Sequence, residues 1–159
     1  MLSVKYDDCF SRFLAQVQAY DLVITDEDAA RQKLNEWLSS IKSNPRVRKL
    51  CKSLTLDKNI ETIFFTLKNT LKDDEADVDF ITEVFALGIA WKWADEKYKS
   101  LVNTAQYFGS GEKRMFSQAN HMDQLNVMAK DGESKLYGYI RDHGSYNNSY
   151  LKEDDRDED

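Results

Sequence analysis

Three features of this 159-residue chain predict a mainly α-helical fold. Proline occurs once and glycine six times, well below their usual shares of roughly 5% and 7%, and both residues interrupt helices. Apolar residues recur at three- and four-residue steps along most of the chain, which is the helical period. Only between residues 51 and 68 does the period shift to two. The expectation is a four-helix domain over residues 1–144, with a small β-hairpin insertion at about 52–68 and a flexible acidic C-terminal tail at 145–159. A chain of this length forms one domain and buries about 70% of its unfolded surface, enough for a core without staples.

The first helix is expected over residues 3–19, where Tyr6, Phe10, Phe13, Leu14 and Val17 share one face. The second opens at Thr25-Asp-Glu-Asp, a cap followed by first-turn acids that suit the helix dipole. Its inner face is Ala30, Leu34, Trp37, Leu38 and Ile41, and Asn44-Pro45 stops it. In the hairpin, residues 52–56 run against 60–68 across an Asp57-Lys-Asn turn. Phe64 falls opposite Phe65 and is either exposed or covered by a partner.

The third helix, about 74–102, carries a seam of Phe80, Val84, Leu87, Trp91, Ala94, Tyr98 and Leu101. Ile81, Phe85, Ile89 and Trp93 lie off that seam, so the helix is apolar nearly all round and belongs at a centre. Trp91 and Trp93 point to nearly opposite sides, and Trp93 is a candidate interface anchor. Residues 103–111 read as a loop. The fourth helix, about 111–142, steps through Met122, Leu125, Ala129, Gly132, Leu136 and Tyr139, and its small residues Ala129 and Gly132 admit another helix at close range. Gly132 and Gly138 each cost about 1 kcal/mol relative to alanine, so fraying or bending is expected there.

Charge is unevenly spread. Residues 42–58 hold six basic side chains against one acid, net +5; residues 71–79 hold five acids against one lysine, net −4; residues 151–159 hold six acids against two bases, net −4. Opposite-signed patches suit a head-to-tail contact between identical subunits, with Arg46, Arg48 and Lys49 facing a neighbour's Asp73, Asp74 and Asp77. The uncharged stretch at residues 84–91 is eight residues long, against about 20 for a membrane span. Acids at Asp7 and Asp8 do not suit a secretory signal, so the chain reads as cytosolic as made. Cys9 and Cys51 are far apart with no CxxC spacing and read as reduced thiols packed as small hydrophobes.

No residue pattern points to catalysis, a metal or a cofactor. His121 and His143 sit about 33 Å apart along one helix and its end, too far to share a metal or proton. His121 with Asp123 supplies fewer than the three protein ligands usual for a metal site. Gly109-Ser-Gly111 has a superficial likeness to a phosphate loop but lacks the required spacing and follows a helix. A sequence pI near 5.0, against above 9 for a typical nucleic-acid-binding domain, argues against sequence-specific reading of DNA.

The last third carries a resemblance. Trp91-Lys-Trp, then Tyr98 and Leu101, then Thr104-Ala-Gln-Tyr-Phe-Gly-Ser, then Phe116-Ser-Gln-Ala-Asn-His-Met with Leu125 and a further amphipathic helix resemble the head–tail connector (adaptor) proteins of tailed bacteriophages. The match covers about residues 80–139. It is most specific at Phe116, Ser117, Gln118, Asn120 and His121, with Trp91 upstream; the first 70 residues resemble the family in layout alone. The acidic tail and the doubled Trp91/Trp93 depart from its pattern. The resemblance implies a structural virion protein without enzymatic activity or cofactor. Such adaptors form a ring, as a rule twelve-fold, on the portal, extend the DNA channel and carry the stopper or tail. DNA passes without sequence-specific binding, and no membrane is involved. The implied location is the virion neck, reached from the host cytoplasm during assembly. The family's C-terminal segment folds onto the portal or a neighbour; here it corresponds to residues 142–159, with Tyr137, Tyr139, Ile140, Tyr146 and Tyr150 as candidate docking residues. Two alternatives stay open: another neck component (stopper or tail-completion protein), and a monomeric helical binding or regulatory protein, which predicts a stable monomer with Trp93 covered by its own chain.

Overall fold

The computed structural model describes the backbone of residues 1–17, 26–107 and 112–146, and the side chains of residues 1–17, 26–100 and 123–143. The described residues are mostly helical, with five helices and one three-stranded antiparallel sheet. In chain order they form β1 (Leu2–Lys5), α1 (Tyr6–Gln16), α2 (Glu27–Ser43), α3 (Pro45–Leu50), β2 (Cys51–Asp57), β3 (Thr62–Leu67), α4 (Asp74–Tyr107) and α5 (Glu112–Tyr146).

The chain opens as a strand, where the sequence predicts helix from residue 3. Leu2 pairs with Phe65 and Val4 with Ile63, so β1 runs along the outer edge of β3 and the strand order is β1-β3-β2. Leu2 and Val4 turn to the core while Ser3 and Lys5 face out, a two-residue alternation too short to stand out beside the helical pattern that follows. The same alternation on β3 buries Ile63, Phe65 and Leu67. Phe64 is half-buried on the opposite face, across from Ser3 and Thr55.

The predicted stop at Asn44-Pro45 is also a start. Asn44 accepts a hydrogen bond from the Arg46 N–H at 2.9 Å and caps α3, with Pro45 in the first helical position, where its missing N–H leaves no partner wanting. The expected four helices therefore become five among the described residues. At the front of α4, Asp73 accepts from the Glu75 N–H at 3.0 Å. α4 extends five residues beyond the expected end, into the expected loop, and α5 runs through Gly132 and Gly138 to Tyr146 without a break. The proposed domain boundary at 144 thus falls inside α5, and residues 147–159 of the expected tail lie outside the described residues.

α4 and α5 pack antiparallel: Trp91 meets Tyr137, and Phe80 stacks on His143 and Tyr139. A Cβ at Gly132 would lie 3.0 Å from both Cα and Cβ of Trp91, so the close approach foreseen for the small residues is to the chain's own α4. On its other side α4 receives α1, α2 and β1. Ile81, Phe85 and Ile89, off the seam predicted for this helix, are fully enclosed by that layer, together with Phe13, Leu38, Ile41, Ile63 and Phe65. Sandwiching between two layers explains a helix apolar nearly all round without a neighbouring subunit.

Candidate functional site

Trp93 does not stand at the surface. It is 7% exposed, edge-on to Phe13 with ring centroids 6.3 Å apart, and Phe13 in turn meets Trp37. A side chain enclosed by its own chain cannot anchor a neighbour, so the expectation for Trp93 is corrected: the residue is part of the core. Trp91 is half-buried under Tyr137, with the Lys92 ammonium 4.3 Å above its ring.

The acidic candidates divide. Asp77 is buried and accepts the Leu71 N–H at 2.9 Å, tying the turn before α4 to the helix's first turn. It is a structural residue and is withdrawn from the neighbour-facing set. Asp79 pairs with Arg12 of α1 at 2.6 Å, and Arg12 also reaches Glu83. Asp73, Asp74 and Glu75 remain exposed.

The basic candidates stay on the surface. Arg46, Arg48 and Lys49 are exposed on α3. Arg46 lies over the Tyr137 ring at 3.9 Å, and Asn44 Nδ2 donates to Tyr137 Oη at 3.1 Å, so α3 is fastened to α5 through one tyrosine. Beside α3 a depression of about 510 Å³ is lined by Lys42, Ser43, Arg48, Cys51, Lys52 and Leu54. In a regular strand Cys51 and Lys52 would point to opposite faces. A register shift in β2 between Cys51 and Ser53 leaves Lys52 as the extra residue, and such bulges re-aim side chains. Cys51 is buried at this wall, and burial pushes its thiol up to about 11; the deeper Cys9 is pushed by burial to about 12. Both remain neutral thiols near pH 7, unlike reactive cysteines, whose pKa is depressed.

Among the docking candidates, Tyr139 is partly exposed and stacks 5.4 Å from Phe80, Ile140 is half-buried, and Tyr137 is engaged as above. Tyr146 ends α5, its side chain outside the described residues, as is all of Tyr150. Phe116, Ser117, Gln118, Asn120 and His121 lie on the early turns of α5, their side chains likewise outside the described set. His143 is buried, with Nε2 3.2 Å from the Asn69 carbonyl oxygen.

No protein-family model, curated protein or solved structure matches this chain. Among the described residues no helix is long and apolar enough to cross a membrane, and no three His, Cys, Asp or Glu side chains come together in a way that could hold a metal ion.

Sequence reasoning placed the two charged regions and missed what joins them to the fold. The Trp37 Nε1 bond to Glu96 at 2.9 Å, the Arg31 pair with Glu61 and the Asn44–Tyr137 contact link residues 30 to 93 positions apart, and no local pattern signals such partners. The Asn44-Pro45 start was readable: an N-cap residue before proline is a helix-opening signal.

Proposed function

We propose that the chain is a head–tail adaptor of a tailed bacteriophage: a non-catalytic subunit that forms a ring on the portal, extends the DNA channel and carries the next neck component. The observation that carries this reading is the stretch Phe116-Ser-Gln-Ala-Asn-His-Met, preceded by Trp91-Lys-Trp. These two segments belong to the long helices α4 and α5, which pack against each other as a pair. Further support comes from the exposed basic residues Arg46, Arg48 and Lys49, from the acids Asp73, Asp74 and Glu75, and from Val127 and Met128, which leave apolar surface open on α5. The basic and acidic sets are the proposed subunit contact; the segment after α5 is the proposed contact with the portal; no cofactor takes part.

The test is to mix the purified chain with the portal protein of the same phage and follow mass by sedimentation. The adaptor reading expects a defined complex with many copies of the chain per portal. A chain that sediments as a monomer in every mixture overturns it.

One observation favours a second reading, a monomeric helical binding or regulatory protein: Trp93 is covered by its own chain. The same sedimentation series separates the two, because this alternative expects a monomer whether or not portal is present. Another neck component, stopper or tail-completion protein, is distinguished by locating the chain one ring further from the portal.

A further inference from the structure

Among the described residues, no carboxylate lies within ion-pair distance of the cations of the groove between α2, α3 and β2. Arg12, Arg31, Lys33 and Lys99 each have a carboxylate within ion-pair distance. Lys42, Arg48 and Lys52, three of the six residues lining the groove, pair with none among the described residues. Lys42 and Ser43 come from the last turn of α2, Arg48 from α3, and Lys52 from the bulge in β2. Three separate elements thus turn positive charge toward one concave surface, and its apolar part is Cys51 and Leu54.

The C-terminal end of α5 is fastened at the same end of the domain. His143 contacts the Asn69 carbonyl oxygen, Lys68 N–H donates to the Leu50 carbonyl at 2.9 Å, and Cys51 pairs with Leu67. The last turn of α5 is therefore linked through residues 67–69 to the strand that forms the groove wall. The described backbone ends at Tyr146, and the sequence after it contains Glu153, Asp154, Asp155, Asp157, Glu158 and Asp159. Glu153 is seven residues beyond Tyr146, a reach of up to about 23 Å when extended.

From the unpaired cations, the matching acids and the point at which α5 ends, we infer that the basic groove is an acidic-peptide site whose occupant is this chain's own segment 151–159. Long-range attraction between a polyacidic segment and a concave basic surface is strong at low salt and screened at high salt. Tethering puts the segment at an effective concentration of about 1 mM, so even weak intrinsic binding keeps the site filled. Bound there, the segment screens the basic surface against other anions. The inference does not rest on the adaptor reading, under which the segment leaves the groove when the chain meets its neighbours and the portal; its test uses the isolated chain, so either can fail alone.

The experiment compares the full chain with the same chain carrying E153Q, D154N, D155N, D157N, E158Q and D159N, following backbone amides by NMR. Amide shifts at Lys42, Arg48, Cys51 and Lys52 are expected to differ between the two, to stay constant on dilution and to converge at high salt. A synthetic peptide of residues 151–159 should bind those positions in the neutralised chain at least about fivefold more tightly than in the full chain, where the tethered segment competes. R48E with K52E, at exposed positions, should abolish the difference while leaving the far-UV spectrum unchanged. Identical shifts in the two chains overturn the inference, as does equal peptide affinity. Dependence on protein concentration overturns it in favour of a second copy as occupant. A single-stranded DNA oligonucleotide binding the same amides more tightly than the peptide overturns it in favour of a phosphate site.

Discussion

Replacing Gly88 with alanine tests how closely α2 lies on α4. A methyl carbon at this position would stand 2.6 Å from Ile41 Cδ1, 2.7 Å from Cγ1 and 3.0 Å from Cγ2, where carbon atoms in contact sit roughly 3.5–4.0 Å apart. Ile41 is fully buried, and as a β-branched residue in a helix it has one strongly preferred χ1 rotamer, so it has little room to withdraw. The substitution gains about 1 kcal/mol of helix propensity and loses about 1–3 kcal/mol to overpacking. With three atoms of one stiff side chain obstructed, the upper half of that loss applies, for a net destabilisation of about 1–2 kcal/mol. In a domain of this size that lowers Tm by roughly 2–8 °C. Urea unfolding followed by tryptophan fluorescence and far-UV circular dichroism measures it. Gly138→Ala is the control, because its nearest contact would be Arg141 Nη2 at 3.9 Å; it should stabilise by up to about 1 kcal/mol. Ile41→Ala alone should cost about 2–5 kcal/mol, and the double variant should be less damaged than the sum by at least about 1 kcal/mol, since the new methyl enters the vacated space. A neutral or stabilising Gly88→Ala, or strict additivity with Ile41→Ala, refutes the close packing.

Asn44→Ala removes both the cap of α3 and the bond to Tyr137 and should cost about 1–2 kcal/mol in urea unfolding. Asp77→Ala strips the acceptor from the Leu71 N–H and should cost about 1–3 kcal/mol, with faster hydrogen exchange at Leu71; Asp77→Asn keeps an oxygen there and should recover most of the loss. Both cysteines have pKa values raised by folding, Cys51 to about 11 and Cys9 to about 12. Their contribution to stability is therefore complete below the unfolded thiol value near 8.5 and lost as pH rises through the folded values. Stability should decline from about pH 9 upward, by at most about 1.4 kcal/mol per pH unit for each thiol. Urea midpoints across pH 7–11 check this, and a chain with both cysteines replaced by alanine should lose that part of the slope.

The helical character of the chain was legible because it rests on period and composition. Phe13, Leu38, Val84 and Leu136 each belong to an apolar series at helical steps within a different helix, and each is enclosed. What escaped is non-local. The strand at Leu2–Lys5 exists because β3, some 60 residues away, offers an open edge, and no local propensity announces it. The side on which α4 buries Trp93 was ambiguous for a related reason. A helix apolar all round does not say which neighbour covers which face, and here α1 supplies Phe13 against the indole. Among the charged candidates, Asp77 was found as a type and misread as a use. Asp77 and Asp79 sit in one acidic run, yet one holds a turn and the other clasps Arg12, a division set by distances that only the folded chain possesses.

The position of β3 between β1 and β2 orders events as the chain acquires its structure. β2 meets β3 across a short turn, so that pairing closes a small loop, whereas β1 must cross about 60 residues to reach the other edge. Pairings of long sequence separation are slow to form. Until Leu2 and Val4 arrive, the outer edge of Ile63 and Phe65 stays open to any extended segment, including the equivalent edge of another nascent chain. The four residues of β1 thus cover the apolar border of β3 and leave in its place only a short edge of their own.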